Sequence, residues 1–297
     1  MATVTLVVGR TFGDGPRLIS DTQVTVDERR SSSGPRSFEP YTQGVLKAVI
    51  LHPALCVAFA GTISTGTQVL LELGRSVRQG FDQNEVQRLL QAACRRDPET
   101  AFMVAALAPT PELYVVDDEG ARLGEVHAAI GTPGAYQDYL RRFHTANELQ
   151  RESVRLREPL IDAVEQDAAA RMLPAFMQVI LDGARPEVGG LPILVAPSRR
   201  GFRYESVAMR ADALDGSPAA SWGSADGGAF GYRLKVPRRA GVGAVGAYFP
   251  AADLGVVYAP GFRRNGMVFR NVTEAAFEAR VREELGVELD APMAGPA

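Results

Sequence analysis

The chain has 297 residues, enough to bury a large hydrophobic core, and its 46% hydrophobic and 23% charged content is typical of a soluble globular protein. A formal net charge of −3 excludes a global attraction to nucleic acid or to an anionic membrane. Two cysteines are too few for a disulfide framework, the three histidines lack metal-ligand spacing, and no apolar run reaches transmembrane length. We therefore expect a cytoplasmic protein with no metal, no cofactor, no nucleic-acid partner and no membrane contact.

The first part of the chain predicts a β-hairpin. Residues 3–10 are apolar and rich in β-branched side chains, a Gly-Asp-Gly turn follows, and residues 17–26 return as a second strand. Asp21 falls inside the return strand, where a carboxylate is unfavourable unless it is exposed or paired. The polar residues 27–43 then predict a surface loop.

A second hairpin is predicted from two apolar runs at 45–51 and 55–60, which end at Gly61 and lead into a helix. Lys47 lies inside the first run, although only two of the 32 basic residues in the chain are lysines. A buried lysine can lower its pKa and exchange protons, whereas arginine stays charged. The pattern favours a special role for Lys47, and the alternative is a lysine that extends from an edge strand to solvent.

Beyond Gly61 the pattern alternates between pairs of helices and sets of strands. This order suits two stacked antiparallel sheets with helices on both outer faces, so the predicted fold class is α+β, a four-layer αββα sandwich. The predicted helices span 65–80, 82–96, 134–145 and 156–180, the last kinked or split at Pro174, and the predicted strands span 101–106, 113–116, 126–130, 191–196 and 202–208.

The composition changes after residue 208 and divides the chain. Residues 1–208 form the predicted main domain, and the Gly/Ala/Ser-rich residues 209–224 form a linker. Residues 225–288 predict a small C-terminal α+β appendage, whose last helix is capped by Thr273, and residues 289–297 a tail.

Five short motifs occur in one order within residues 3–208: ISDTQVT, LKAVI, CVAFAGTISTG, AIGTPGAY and EVGGLPILVAP. In this order they resemble the N-terminal-nucleophile hydrolases of the proteasome β-subunit class, which include the bacterial peptidase that pairs with an unfoldase ring. The resemblance implies the same αββα sandwich, a peptide or protein substrate, assembly into a homo-oligomer, and an unfoldase or another protein as a candidate partner.

The resemblance also assigns roles to individual residues. A threonine at the true N-terminus would supply a hydroxyl nucleophile and an α-amine, whose ordinary pKa near 8 suits a base. A nearby lysine would lower the pKa of that hydroxyl, and a backbone N–H would stabilise the oxyanion. The resemblance places the paired carboxylate on Asp21, the catalytic lysine on Lys47, the oxyanion-hole glycine on Gly61, an auxiliary hydroxyl on Thr132 and a substrate-binding threonine on Thr25.

Two threonines are candidates for the nucleophile, and both require removal of the residues before them. A hairpin that pairs Thr5 with Asp21 is centred on Gly13, whereas one that pairs Thr3 with Asp21 is centred on Phe12. The spacing of the family motifs also fits Thr5 without a gap. We therefore favour Thr5 and keep Thr3 as the alternative.

Two positions depart from the family pattern, because its auxiliary serine and aspartate fall on Val188 and Arg185.

The resemblance and these departures lead to two alternative functions for the protein. The first is a proteasome-like threonine-type peptidase or amidohydrolase, whose N-terminal threonine is exposed by autoprocessing. The alternative is a non-catalytic homologue that acts as an assembly or binding module.

Overall fold

The computed structural model describes residues 5–23, 44–77, 80–124, 126–145, 163–181, 185, 188–205, 208–209, 232–237, 244–259 and 267–290. Within these residues the fold is mixed α+β, with five α-helices and three antiparallel sheets. None of the helices in this part of the chain is both long enough and apolar enough to cross a membrane.

The order of the elements up to residue 204 is the predicted one: strands, two helices, strands, two helices and strands. The helices are α1 (Ile63–Ser76), α2 (Gln83–Arg96), α3 (Pro133–Thr145), α4 (Ala163–Leu181) and α5 (Glu274–Leu285). The strands are β1 (Leu6–Phe12), β2 (Gly15–Ser20), β3 (Ala48–His52), β4 (Leu55–Ala60), β5 (Ala101–Ala106), β6 (Glu112–Val116), β7 (Ala121–Leu123), β8 (His127–Gly131), β9 (Ile193–Ser198), β10 (Gly201–Tyr204), β11 (Ala208–Met209), β12 (Tyr232–Pro237), β13 (Val245–Phe249), β14 (Leu254–Tyr258), β15 (Met267–Arg270) and β16 (Leu289–Asp290).

The first sheet has the order β10-β9-β2-β1-β8, and the second has the order β3-β4-β5-β6-β7. In the first hairpin Val7 lies opposite Ser20 and Phe12 opposite Gly15, so the turn is centred between residues 13 and 14. The predicted centre for Thr5 was residue 13 itself. This register brings the residues just before β1 beside those just after β2.

The two sheets contact each other through their inner faces. Strands β1 and β2 contact β5 and β6, and the apolar side chains between the sheets belong to one continuous buried cluster. Helices α1 and α2 pack on the second sheet, while α3 and α4 pack on the first. The Tyr204 hydroxyl joins the two sheets at one edge, because it donates to the Ala48 carbonyl (3.2 Å) and accepts from the Ile50 N–H (3.2 Å).

The third sheet has the order β11-β12-β13-β14-β15, with β16 paired to β12. Side chains alternate between its two faces, as period-two strand geometry requires. On β13, Val245, Ala247 and Phe249 join the buried cluster of the first two sheets, whereas Tyr248 packs with Phe277 of α5 on the other face. The sheet in the predicted appendage therefore shares a hydrophobic core with the main part of the chain.

Several boundaries differ from the predicted ones. Asp21 lies just after β2, not inside a strand, and Lys47 lies just before β3. Strand β7 escaped prediction because all three of its side chains are exposed. The sequence predicts short strands within 234–270, but it does not delimit β13, because Gly246 and Ala247 dilute its apolar pattern. The predicted loop at 27–43 and most of the predicted linker at 209–224 lie outside the described residues.

Candidate active site

Three polar side chains meet inside the protein at the ends of three strands. Thr5 immediately precedes β1, Asp21 immediately follows β2, and Lys47 immediately precedes β3. Their exposed fractions are 2%, 0% and 2%. Charged side chains are almost never fully buried unless they are paired, so the buried Asp21 and Lys47 are expected to contact each other.

The Thr5 hydroxyl stands between the two charges. It donates to Asp21 Oδ1 and accepts from Lys47 Nζ, and Lys47 Nζ is also 2.9 Å from Asp21 Oδ1. Two backbone N–H groups complete the carboxylate's shell: Leu6 donates to Oδ1 (3.4 Å) and Gly189 donates to Oδ2 (3.3 Å). Asp21 is thus held from both oxygens, and the hydroxyl has a defined orientation.

Burial lowers the pKa of the Lys47 ammonium below its ordinary value, and the charge of Asp21 and its hydrogen bond oppose that shift. A buried ion pair is weak evidence for stability, because the desolvation of two charges offsets most of their attraction. Proton exchange with an adjacent hydroxyl is a chemical role that this arrangement permits.

The turn from β8 into α3 fixes the backbone of Thr5. The Thr132 N–H donates to the Thr5 carbonyl oxygen (2.9 Å). Gly131 has φ +102°, and a Cβ at this glycine would overlap the same oxygen, so no larger residue fits. The Thr132 hydroxyl oxygen is buried and has no hydrogen-bond partner among the described residues.

Gly61 follows β4 and begins the turn into α1. Two residues earlier, the Phe59 N–H donates to the Lys47 carbonyl oxygen (3.2 Å), which places this end of β4 beside the lysine. Gly61 has φ +104°, and a Cβ there would overlap the Glu99 carbonyl oxygen. Its N–H donates no hydrogen bond within the described part of the chain, so it can serve an incoming acceptor.

Thr22 is a site residue that the sequence analysis missed. Its hydroxyl accepts from the Leu191 N–H (2.9 Å), and its carbonyl accepts from the Val45 N–H (2.8 Å). Thr22 therefore links the segment that carries Asp21 to two others, the one that carries Lys47 and the one that carries Gly189. The one available signal was its place beside Asp21 in the ISDTQVT motif.

The two positions that depart from the family pattern have other contacts. The Val188 side chain is buried and apolar. The Arg185 guanidinium pairs with Asp138 of α3, with 2.9 Å between Nε and Oδ2, and this hydrogen bond holds the pKa of the Asp138 carboxyl below its ordinary value. Neither side chain hydrogen-bonds to Asp21 within the described residues.

The structure thus brings together Thr5, Asp21 and Lys47, with Thr132 bonded to the Thr5 backbone and Gly61 at the end of the neighbouring strand. Thr3 and Thr25 lie outside the described residues. No protein-family model matches this chain, and no curated protein matches it. The interpretation of the site therefore depends on its own geometry.

Proposed function

We propose that the protein is a threonine-type amide hydrolase of the proteasome-like class, with Thr5 as its nucleophile. The observation that carries this proposal is the Thr5 hydroxyl, which is hydrogen-bonded to both the Lys47 ammonium and the Asp21 carboxylate. An ammonium that donates to a hydroxyl oxygen stabilises the alkoxide-like state of that oxygen, so the hydroxyl becomes a better nucleophile.

The first reaction exposes the N-terminus. The Thr5 hydroxyl oxygen attacks the carbonyl carbon of Val4, the C–N bond between these residues breaks, and the nitrogen takes up the hydroxyl proton. Water then hydrolyses the resulting ester. Residues 1–4 leave as an acid, and Thr5 keeps its hydroxyl and gains a free α-amine.

The same oxygen then attacks the carbonyl carbon of a substrate amide, and the α-amine of Thr5 accepts its proton. Gly61 donates its N–H to the developing oxyanion, and one such donor is worth about 3 kcal/mol in a serine protease where it has been removed. The leaving amine takes the proton from the α-ammonium of Thr5, and water hydrolyses the acyl-enzyme, which releases the acid and restores the Thr5 hydroxyl. By the resemblance, we assign to the Thr132 hydroxyl the auxiliary role of holding the attacking water or the proton in transit.

The fold that suits this function is the four-layer αββα sandwich, and the packing of α1 and α2 on one sheet and α3 and α4 on the other supports it. By the resemblance of its motifs to the proteasome β-subunit class, we propose a peptide or protein substrate, a homo-oligomeric assembly, and an unfoldase or another protein as a partner. From the lack of an apolar run of transmembrane length, we propose the cytoplasm as its location.

A non-catalytic assembly or binding module is the second candidate. The buried Val188 and the Arg185–Asp138 pair favour it, because the family pattern has a hydroxyl and a carboxylate at positions 188 and 185. In that case the buried Thr5, Asp21 and Lys47 would form only a structural polar cluster.

Labelling with a peptide vinyl sulfone, which adds covalently to a nucleophilic hydroxyl, separates the two. We expect one adduct per chain on Thr5 in the wild-type protein and no adduct in Thr5→Ala. Thr110→Ala, which changes an exposed threonine between β5 and β6, should label like the wild type. Equal labelling of Thr5→Ala, or an unreactive wild type that is correctly folded by circular dichroism, would contradict the proposal.

A further inference from the structure

A second hydrogen-bonded cluster lies beside the turn that carries Gly61. Asp97 immediately follows α2, and its Oδ2 accepts from the Thr65 hydroxyl (2.6 Å) and from the Thr100 hydroxyl (3.0 Å). These bonds, led by the one from Thr65 and joined by one from the Thr62 side chain, lower the pKa of the Asp97 carboxyl below its ordinary value. The carboxylate therefore joins the end of α2 to the first turn of α1.

The Thr100 hydroxyl links Asp97 to the backbone of Thr62, the residue after Gly61. Thr100 is 1% exposed, and its hydroxyl hydrogen points at Asp97, so its lone pairs are left to accept. The donor they accept from is the Thr62 N–H, at 3.2 Å. The peptide between Gly61 and Thr62 is thus oriented by a side chain whose own orientation is set by Asp97. The Gly61 N–H belongs to the preceding peptide, between Ala60 and Gly61, so Thr100 acts on it through the Gly61 Cα that the two peptides share.

Steric contact with residues 99 and 100 also constrains the backbone of this turn. A Cβ on Gly61 would overlap the Glu99 carbonyl oxygen and would lie 2.7 Å from Thr100 Cα. The Gly61 backbone therefore lies directly against residues 99–100, and a shift of that segment would displace it. The Thr100 N–H is itself bonded to the Asp97 carbonyl (3.0 Å), which closes the turn.

We propose that Asp97 and Thr100 are positioning residues, which aim the Gly61 N–H at the oxyanion of the acylation step. This inference rests on the proposed function, because it supposes that Thr5 attacks a carbonyl. Neither residue hydrogen-bonds to Thr5, Asp21 or Lys47 within the described residues, so their loss leaves the nucleophile's own hydrogen bonds intact.

Two probes of different chemistry distinguish positioning from general support of the fold. A peptide β-lactone acylates a hydroxyl through a tetrahedral carbonyl oxyanion, whereas a peptide vinyl sulfone adds without one. Thr100→Val keeps the shape of the side chain and removes the hydroxyl. We expect it to slow acylation by the β-lactone about 10- to 100-fold, since misplacement of one oxyanion donor costs that much, and to leave the vinyl sulfone rate and its pH profile unchanged.

Thr100→Ser restores the hydroxyl and should recover most of the β-lactone rate, while Asp97→Asn gives a second test if the valine variant does not fold. Equal slowing with both probes, no slowing with either, or a serine variant as slow as the valine variant would each overturn the inference. A wild-type protein that reacts with neither probe would instead refute the proposed function itself.

Discussion

Lys47 and Lys235 are the only two lysines in the chain, and both are buried beside carboxylates. Lys235 Nζ lies 2.6 Å from Glu274 Oε1 and also contacts Glu278, so it joins β12 to α5. Lys47 differs because it also donates to a hydroxyl. The two residues share burial and charge pairing and differ in the one contact on which the proposed chemistry depends.

This difference predicts the result of changing each lysine to arginine. The Lys47 ammonium is a compact charge that donates to the Thr5 hydroxyl oxygen, whereas the charge of arginine is spread over a planar fork, so arginine stabilises the alkoxide-like state of that oxygen less well. We expect Lys47→Arg to lower the rate of Thr5 labelling by about 100-fold or more. Lys235→Arg is the matched control and should react at the wild-type rate. Equal rates in both variants would contradict a catalytic role for Lys47.

Residues of the site could be predicted where a charged side chain interrupted an apolar strand pattern. Asp21 stood in an apolar hairpin, and Lys47 was rare and lay in an apolar run, so both could be found from the sequence alone. Thr22 and Asp97 could not, because polar residues are ordinary at strand ends and helix ends. Each of them has a hydrogen-bond partner more than 30 residues away, Leu191 for Thr22 and Thr65 for Asp97, which no local pattern reveals.

Arg185, which lies between α4 and β9 in the sequence, is linked to α3 by its ion pair with Asp138. The Asp138 pKa is lowered chiefly by its hydrogen bond from Arg185, so the pair stabilises the folded state above the ordinary value of 3.8. That stabilisation is lost as the pH falls through the lower pKa of the folded state. Because Arg185 is 37% exposed, solvent screening limits the contribution to about 1 kcal/mol or less.

We therefore expect Arg185→Met to lower the free energy of unfolding in urea by up to about 1 kcal/mol at pH 7, and by less at pH 3. Arg200→Met, which changes an exposed turn arginine, is the control and should be neutral at both values. A loss that is equal at pH 7 and pH 3 would show that the effect does not arise from the ion pair.

Elements with a strong local pattern were predicted closely, and those that depend on tertiary contacts were not. Residues 101–106 form the predicted strand, and Asp82 caps α2 through the Asn84 N–H (2.9 Å). Short strands were predicted within 234–270, but the bounds of β13 were not, because its apolar side chains are spread over two faces, each covered by a different part of the protein.

At the scale of the whole molecule, the third sheet is packed on both faces. One face shares the buried cluster of the first two sheets, and Tyr258 on that face lies against Gly44, where a Cβ would be 2.7 Å from its ring. On the other face, the Phe277 ring covers Gly255, where a Cβ would overlap it. The sequence predicted an α+β appendage here, but which faces of its strands are buried depends on a docking that no local pattern encodes.

Because the cores are continuous, we expect the whole chain to unfold in one cooperative transition. Gly255→Ala would push the Phe277 ring outward and should lower the free energy of unfolding by about 1–3 kcal/mol, as overpacking does. Gly74→Ala is the control, since the nearest atom to its Cβ would be 3.5 Å away. Circular dichroism during urea denaturation would show the shift, and a separate early transition in Gly255→Ala would contradict the shared core.

The proposed chemistry requires Thr5 to become the first residue of the mature protein, with its hydroxyl held between Lys47 and Asp21. The intact mass of the purified full-length product shows whether it does. We expect a chain that has lost residues 1–4 and begins at Thr5, and a Lys47→Arg variant that retains them. A mature wild-type chain that still begins at Met1, Ala2 or Thr3 would contradict it.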